Sequence, residues 1–134
     1  MSRKLSFPSS YRLKSRKKIE ELFRSSESLI SHPVLFKFLV ENTETISPGP
    51  LVAFSIGRKN FSKAVDRNRI KRLLRESYRL HWKDQLETSA QPLQIQIMLI
   101  YLDKQILPFE EIQKAMIKGL KKLNLALKKN KAFV

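Results

Sequence analysis

The stretch LQIQIMLIYL, Leu93 to Leu102, constrains the fold more than any other. Past Gln96 it is apolar almost without a break, and a strand of that character has to be covered on both faces. It is too short to cross a bilayer, and no other segment approaches the roughly 20 uninterrupted apolar residues of a spanning helix. A central strand in a soluble domain is therefore expected, with helices available to cover it. A chain of 134 residues is long enough for one such domain and short for two.

The flanking segments supply the rest of that domain. In SRKKIEELFRSS, Ile19, Leu22 and Phe23 fall at i, i+3, i+4 behind a capping Ser15, which predicts a short amphipathic helix. PVLFKFLV, Pro33 to Val40, and LVAFSIG, Leu51 to Gly57, read as strands on either side of the turn-rich ENTETISPGP. Adjacent in sequence, they are expected to pair as an antiparallel hairpin with a long loop. A helix follows from about Ala64 to Trp82, then the polar connection KDQLETSAQP.

Pro108 opens a last helix, in which Phe109, Ile112, Met116, Leu120, Leu123 and Leu127 form one apolar stripe. Glu110 and Glu111 stand in its first turn and Lys121, Lys122, Lys128 and Lys129 towards its end, as the helix dipole favours. This order predicts an α+β fold, a two-layer sandwich of helices packed on a small central sheet. Three glycines and no low-complexity tract leave no linker or repeat, so residues 1–134 read as one domain with residues 1–10 as a flexible basic arm. The N-terminus has no apolar run behind its basic residues, unlike a secretory signal. The absence of cysteine removes disulfides, thiolate zinc sites and thiol nucleophiles, and fits a reducing cytoplasm.

Charge narrows the partner. Lys and Arg number 27 against 12 Asp and Glu, a net +15, which attracts polyanions in a salt-dependent way and makes nucleic acid the leading class. Nine basic residues against two acids lie between Arg58 and Arg79. At about 100° per residue from Arg67, the residues Ile70, Leu73, Leu74, Ser77 and Leu80 gather on one side. Arg67, Asn68, Lys71, Arg72, Arg75 and Arg79 fill another arc with no acid among them. Like charges at i, i+4 cost a few tenths of a kcal/mol per pair, so the run Arg67, Lys71, Arg75, Arg79 suggests an external anion that offsets the repulsion. Arginine favours phosphate, which its guanidinium grips bidentately. The neutral Asn68 offers an amide suited to a base edge, a 2′-hydroxyl or a hydrated metal ion.

Nothing in the pattern equips the chain for catalysis of its own. Metal-dependent phosphodiester hydrolysis needs clustered carboxylates, whereas the adjacent pairs Glu20-Glu21 and Glu110-Glu111 each sit early on a helix. Neither His32 nor His81 has an evident second catalytic partner, and no catalytic or metal-binding side chain is assigned.

The run IGRKNFSKAVDRNRIKRLLRE resembles the signature of the bacterial ribonuclease P protein subunit, and YRLKSRKKIEELF looks like that family's N-terminal arm and first helix. The likeness extends from about Tyr11 to Leu127. It implies a fold like the second domain of ribosomal protein S5, with a left-handed βαβ crossover. It also implies a ribonucleoprotein that removes the 5′ leader from precursor tRNA, in which the RNA subunit carries the active site and holds the Mg2+ ions. By that resemblance Lys59, Arg67, Asn68, Arg69, Lys71, Arg72, Arg75 and Arg79 would face ribonuclease P RNA. Ile19, Phe23, Phe36, Lys37 and Phe38 would line the cleft for the single-stranded leader of the precursor tRNA. No membrane and no obligate protein partner are expected. The competing reading is a non-enzymatic small basic ribosomal or RNA-chaperone protein.

Overall fold

The computed structural model describes residues 11–46, 49–87 and 92–129; the expected flexible arm over residues 1–10 lies outside them. In chain order the elements are α1 (Arg16–Ser25), β1 (Glu27–Ser31), β2 (Val34–Asn42), β3 (Leu51–Ile56), α2 (Ala64–Gln85), β4 (Leu93–Tyr101) and α3 (Phe109–Lys128).

The strand expected at the centre is there. The sheet order is β1-β2-β4-β3, with β4 antiparallel to β2 and parallel to β3. Its alternate residues feed two separate clusters, as its unbroken apolar character requires. Ile95, Ile97, Leu99 and Tyr101 join the larger core under α2 and α3, while Met98 packs with Leu13 and Leu22 on the other face. The expected helical layer is thus made by α2 and α3 side by side, and α1 lies across the opposite face.

The hairpin between β2 and β3 does not form, because β4 lies between them. The hairpin partner of β2 is β1, with Ile30 opposite Leu35 and Ser28 opposite Lys37. β1 escapes sequence reading because ESLIS is short and polar, and as an edge strand it needs burial at few positions. The parallel β3-β4 pair needs a crossover, which α2 provides.

Capping and packing fix the helices. Ser15 is the N-cap of α1, its Oγ accepting from the Lys18 N–H at 3.3 Å. Ile112, Met116, Leu120, Leu123 and Leu127 of α3 are all buried, as their stripe predicts. Gly119 lies against the Phe36 ring so closely that a Cβ there would overlap it. The inner side of α2 departs from the helical wheel at its C-terminal end, where Leu80 is exposed while Tyr78 and Trp82 are buried. Both aromatics fall within the nominal basic arc, but β3 and the segment before α1 cover that side. Tyr11 meets Trp82 at 5.3 Å between ring centroids, and Phe54 meets Tyr78 edge-on at 6.4 Å.

Candidate nucleic-acid interface

The cations of α2 are not equivalent. Arg67 turns back to donate from Nη1 to the carbonyls of Phe61 at 2.7 Å and Ser62 at 2.8 Å, securing the loop that leads into the helix. Arg79 is held by Glu76 one turn earlier, with Nη2 2.6 Å from Oε1. Arg75 lies over the Phe54 ring, 6.0 Å from its centroid. Its pKa is lowered by burial first, and then by the nearby charges of Arg12 and Arg72. Asn68, Arg69 and Arg72 are exposed, as is Lys59 in the loop after β3. Among the described residues none of Lys59, Arg69 and Arg72 has an ion-pair partner.

Two cations that sequence reading did not single out complete this surface. The segment before α1 runs alongside β3, where Arg12 bridges Val52 and the Leu13 N–H donates to the Val52 carbonyl at 2.9 Å. Leu13 turns inward while its neighbours Arg12 and Lys14 stay exposed, an alternation legible in YRLK once the segment is known to be extended. Arg12 and Lys14 meet Lys71 and Arg75 around a cleft of about 330 Å³ floored by Val52, Ala53 and Phe54, and no acid lines it. Four cations therefore converge where nothing in the lining neutralises them.

The opposite sheet face corrects the leader assignments. Phe36 and Phe38 are buried at 0% and 3% exposure in the core under α2 and α3, so neither is available to a ligand. Side chains of a strand alternate faces, and Lys37 and Leu39 therefore point towards α1. Lys37 donates from Nζ to the Phe23 carbonyl at 3.2 Å, and the Phe23 side chain is 48% exposed at the end of α1. Ile19 is half-buried against Leu13, Leu22 and Met98 and also reaches the cationic cleft. The structure thus brings Phe23 and Lys37 together and separates them from Phe36 and Phe38. It adds Ile30, Leu35 and Ile100, which lie in register across β1, β2 and β4 on the α1 side. FKFLV is apolar on both sides, so only the register with β4 identifies its outer face.

A polar tether sets α1 on this face. Lys18 Nζ lies 2.6 Å from Glu41 Oε2, and Glu41 Oε1 accepts from the buried Gln96 amide. The hydrogen bond to Glu41 raises the Lys18 pKa above its ordinary 10.5. Elsewhere, His32 is 2.9 Å from Asp103, and His81 is 2.9 Å from Gln113 across the α2-α3 contact. Among the described residues no three His, Cys, Asp or Glu side chains gather as a metal site, and no helix is long and apolar enough to cross a membrane.

Comparison with known proteins agrees with this architecture. The family described as Ribonuclease P matches residues 7–124. The ribonuclease P protein component of Porphyromonas gingivalis is 29% identical over 113 residues, spanning 83% of this chain and 81% of that protein. That of Chlorobium phaeobacteroides is 33% identical over 99 residues, 67% of each. The RNase P protein from Thermotoga maritima superposes with a TM-score of 0.64 at 22% identity, over 83% of this chain and 96% of that one, a likeness of fold.

Proposed function

We propose a division of labour from one premise: this chain belongs to the ribonuclease P protein family. It is the protein subunit of ribonuclease P, the endoribonuclease complex of tRNA 5′ processing, and its partner is ribonuclease P RNA. In our reading α2 and the cationic cleft bind that RNA, and the open sheet face beside α1 receives the single-stranded 5′ leader of precursor tRNA.

The observation that carries this reading is the convergence of Arg12, Lys14, Lys71 and Arg75 on a cleft without an acid. Each phosphate neutralised there releases condensed counterions, which drives binding and makes it fall with salt. Arg69 and Arg72 extend the same surface outward, and Asn68 beside them offers hydrogen bonds to a 2′-hydroxyl or base edge. On the other face Phe23 provides the ring on which a base stacks. Leu35 and Ile100 give it an apolar floor, and Lys37 supplies a cation for the adjoining phosphate.

The protein acts by binding and the RNA by chemistry. In this reading the RNA holds the Mg2+ ions of phosphodiester cleavage, which is supported by the finding that the described acids do not gather into a cage for them. The complex would work in the cytoplasm, in keeping with a chain that has no cysteine. The test is reconstitution: adding this protein to a bacterial ribonuclease P RNA at low magnesium should restore leader cleavage of precursor tRNA. Absence of stimulation, with tight binding to ribosomal RNA instead, would overturn the reading.

A further inference from the structure

A second cationic surface lies on α3 and is used by neither of these roles. Lys114, Lys118 and Lys122 recur at i+4 and are all exposed, with Lys121 exposed beside them. On a helical wheel these four share an arc of about 100°. Among the described residues Lys114, Lys118 and Lys121 have no ion-pair partner. Lys122 Nζ reaches over the sheet edge to the Ile30 carbonyl at 3.2 Å. With Ile30, His32 and Glu111, the residues Lys114, Lys118 and Lys122 line a groove of about 400 Å³ between α3 and β1.

Two structural explanations for these lysines fall short. The helix dipole favours cations only within the last turn, whereas Lys114 and Lys118 lie well inside a helix that runs from Phe109 to Lys128. Solubility would be served better by acids alternating with the lysines, since like charges at i, i+4 repel. Glu111 is the one acid in the groove lining, against three lysines. From Lys114 to Lys122 the helix rises about 12 Å, room for several phosphates at the charge spacing of a nucleic-acid strand.

Position separates this groove from the cleft at α2. α3 packs on β1 and β2 while α2 packs on β3, and β1 and β3 are opposite edges of the sheet. Strands about 4.8 Å apart put those edges roughly 14 Å from one another, so two RNA segments can be held at the same time. The groove offers lysine alone where α2 offers mainly arginine, which suits charge neutralisation without bidentate recognition.

We propose that the α3-β1 groove binds the phosphodiester backbone of a second RNA segment, independently of α2. The test compares the wild-type protein with Lys114→Gln/Lys118→Gln/Lys122→Gln, measuring affinity against salt first for ribonuclease P RNA alone and then for precursor tRNA in the assembled holoenzyme. The triple variant should lower the slope of log K against log salt by about 2, and its Lys→Arg counterpart should retain the slope. A drop with ribonuclease P RNA alone identifies that RNA as the occupant; a drop seen only in the second arm identifies the substrate. A parallel Arg69→Ala/Arg72→Ala variant reports on α2 separately, so failure of one surface is distinguishable from failure of the other. An unchanged slope in both arms, with thermal unfolding showing the variant folded, would overturn the proposal. Loss of adsorption to phosphatidylglycerol vesicles alongside that unchanged slope would reassign the groove to an anionic lipid surface, equally overturning it.

Discussion

The two faces of the sheet carry similar residues under unequal cover. One lies beneath α2 and α3, of 22 and 20 residues, each about 30 Å or more of helix. They are as long as the strands and close the face, so Phe36 is fully buried and Gly119 gives up a side chain to seat its ring. Among the described residues the other face has α1 as its one helix, of 10 residues, about 15 Å against strands roughly twice that length, with Leu13 of the preceding segment packed beside it. Phe23 and Ile30 are left about half exposed there. The longer helices build stability, and the shortness of α1 leaves apolar side chains of this face exposed, as the proposed leader site requires.

Exchanging side chains between the faces tests that contrast most severely. Phe36→Ala should cost about 3–5 kcal/mol in urea unfolding, as a large core truncation does. Phe23→Ala should stay within about 0.5 kcal/mol, yet weaken holoenzyme binding of leader-bearing precursor tRNA by about 1–3 kcal/mol and leave leaderless tRNA unaffected. Equal destabilisation by the two substitutions would erase the distinction between a closed face and an open one.

The arginines of α2 divide in the same manner, at smaller scale. Arg67→Ala leaves the Phe61 and Ser62 carbonyls without their charged donor and should lose about 1–3 kcal/mol of stability. Arg72→Ala, at an exposed position, should unfold within about 0.5 kcal/mol of wild type while lowering the salt slope of RNA binding by about 1. If Arg67→Ala bound RNA with a reduced slope and unfolded normally, its inward hydrogen bonds would count for little and its role would be that of Arg72.

The smallest effect concerns how α1 is held over the open face. The folded-state pKa of Lys18 is raised above 10.5 by its bond to Glu41. The stability this contributes is fully present below that value and is lost as pH rises through the raised pKa. A fluorine-labelled Phe23 should therefore report loosening of α1 only above about pH 10.5, and Glu41→Gln should remove that dependence. A response unchanged in Glu41→Gln would mean that apolar packing alone sets α1 in place.

Much of this was legible in the order of residues. The largely apolar LQIQIMLIYL required cover on both faces, and the i+4 run of cations from Arg67 set out one strongly basic side of α2. The motif IGRKNFSKAVDRNRIKRLLRE is specific enough by itself to point to the family. These signals are local: periodicity, capping and charge at helical spacing depend on neighbours a few residues away. Tertiary structure decided what depends on distant partners. Insertion of β4 between β2 and β3 turned Phe36 and Phe38 into the core and left Lys37 to the open face, because a strand's face is set by register, and one step reverses it. Pairing of the N-terminal segment with β3 carried Arg12 and Lys14 to Lys71 and Arg75, residues some 60 positions apart. Which arginines of α2 are held by partners within the chain was likewise settled by carbonyls, carboxylates and rings that the fold brings beside them.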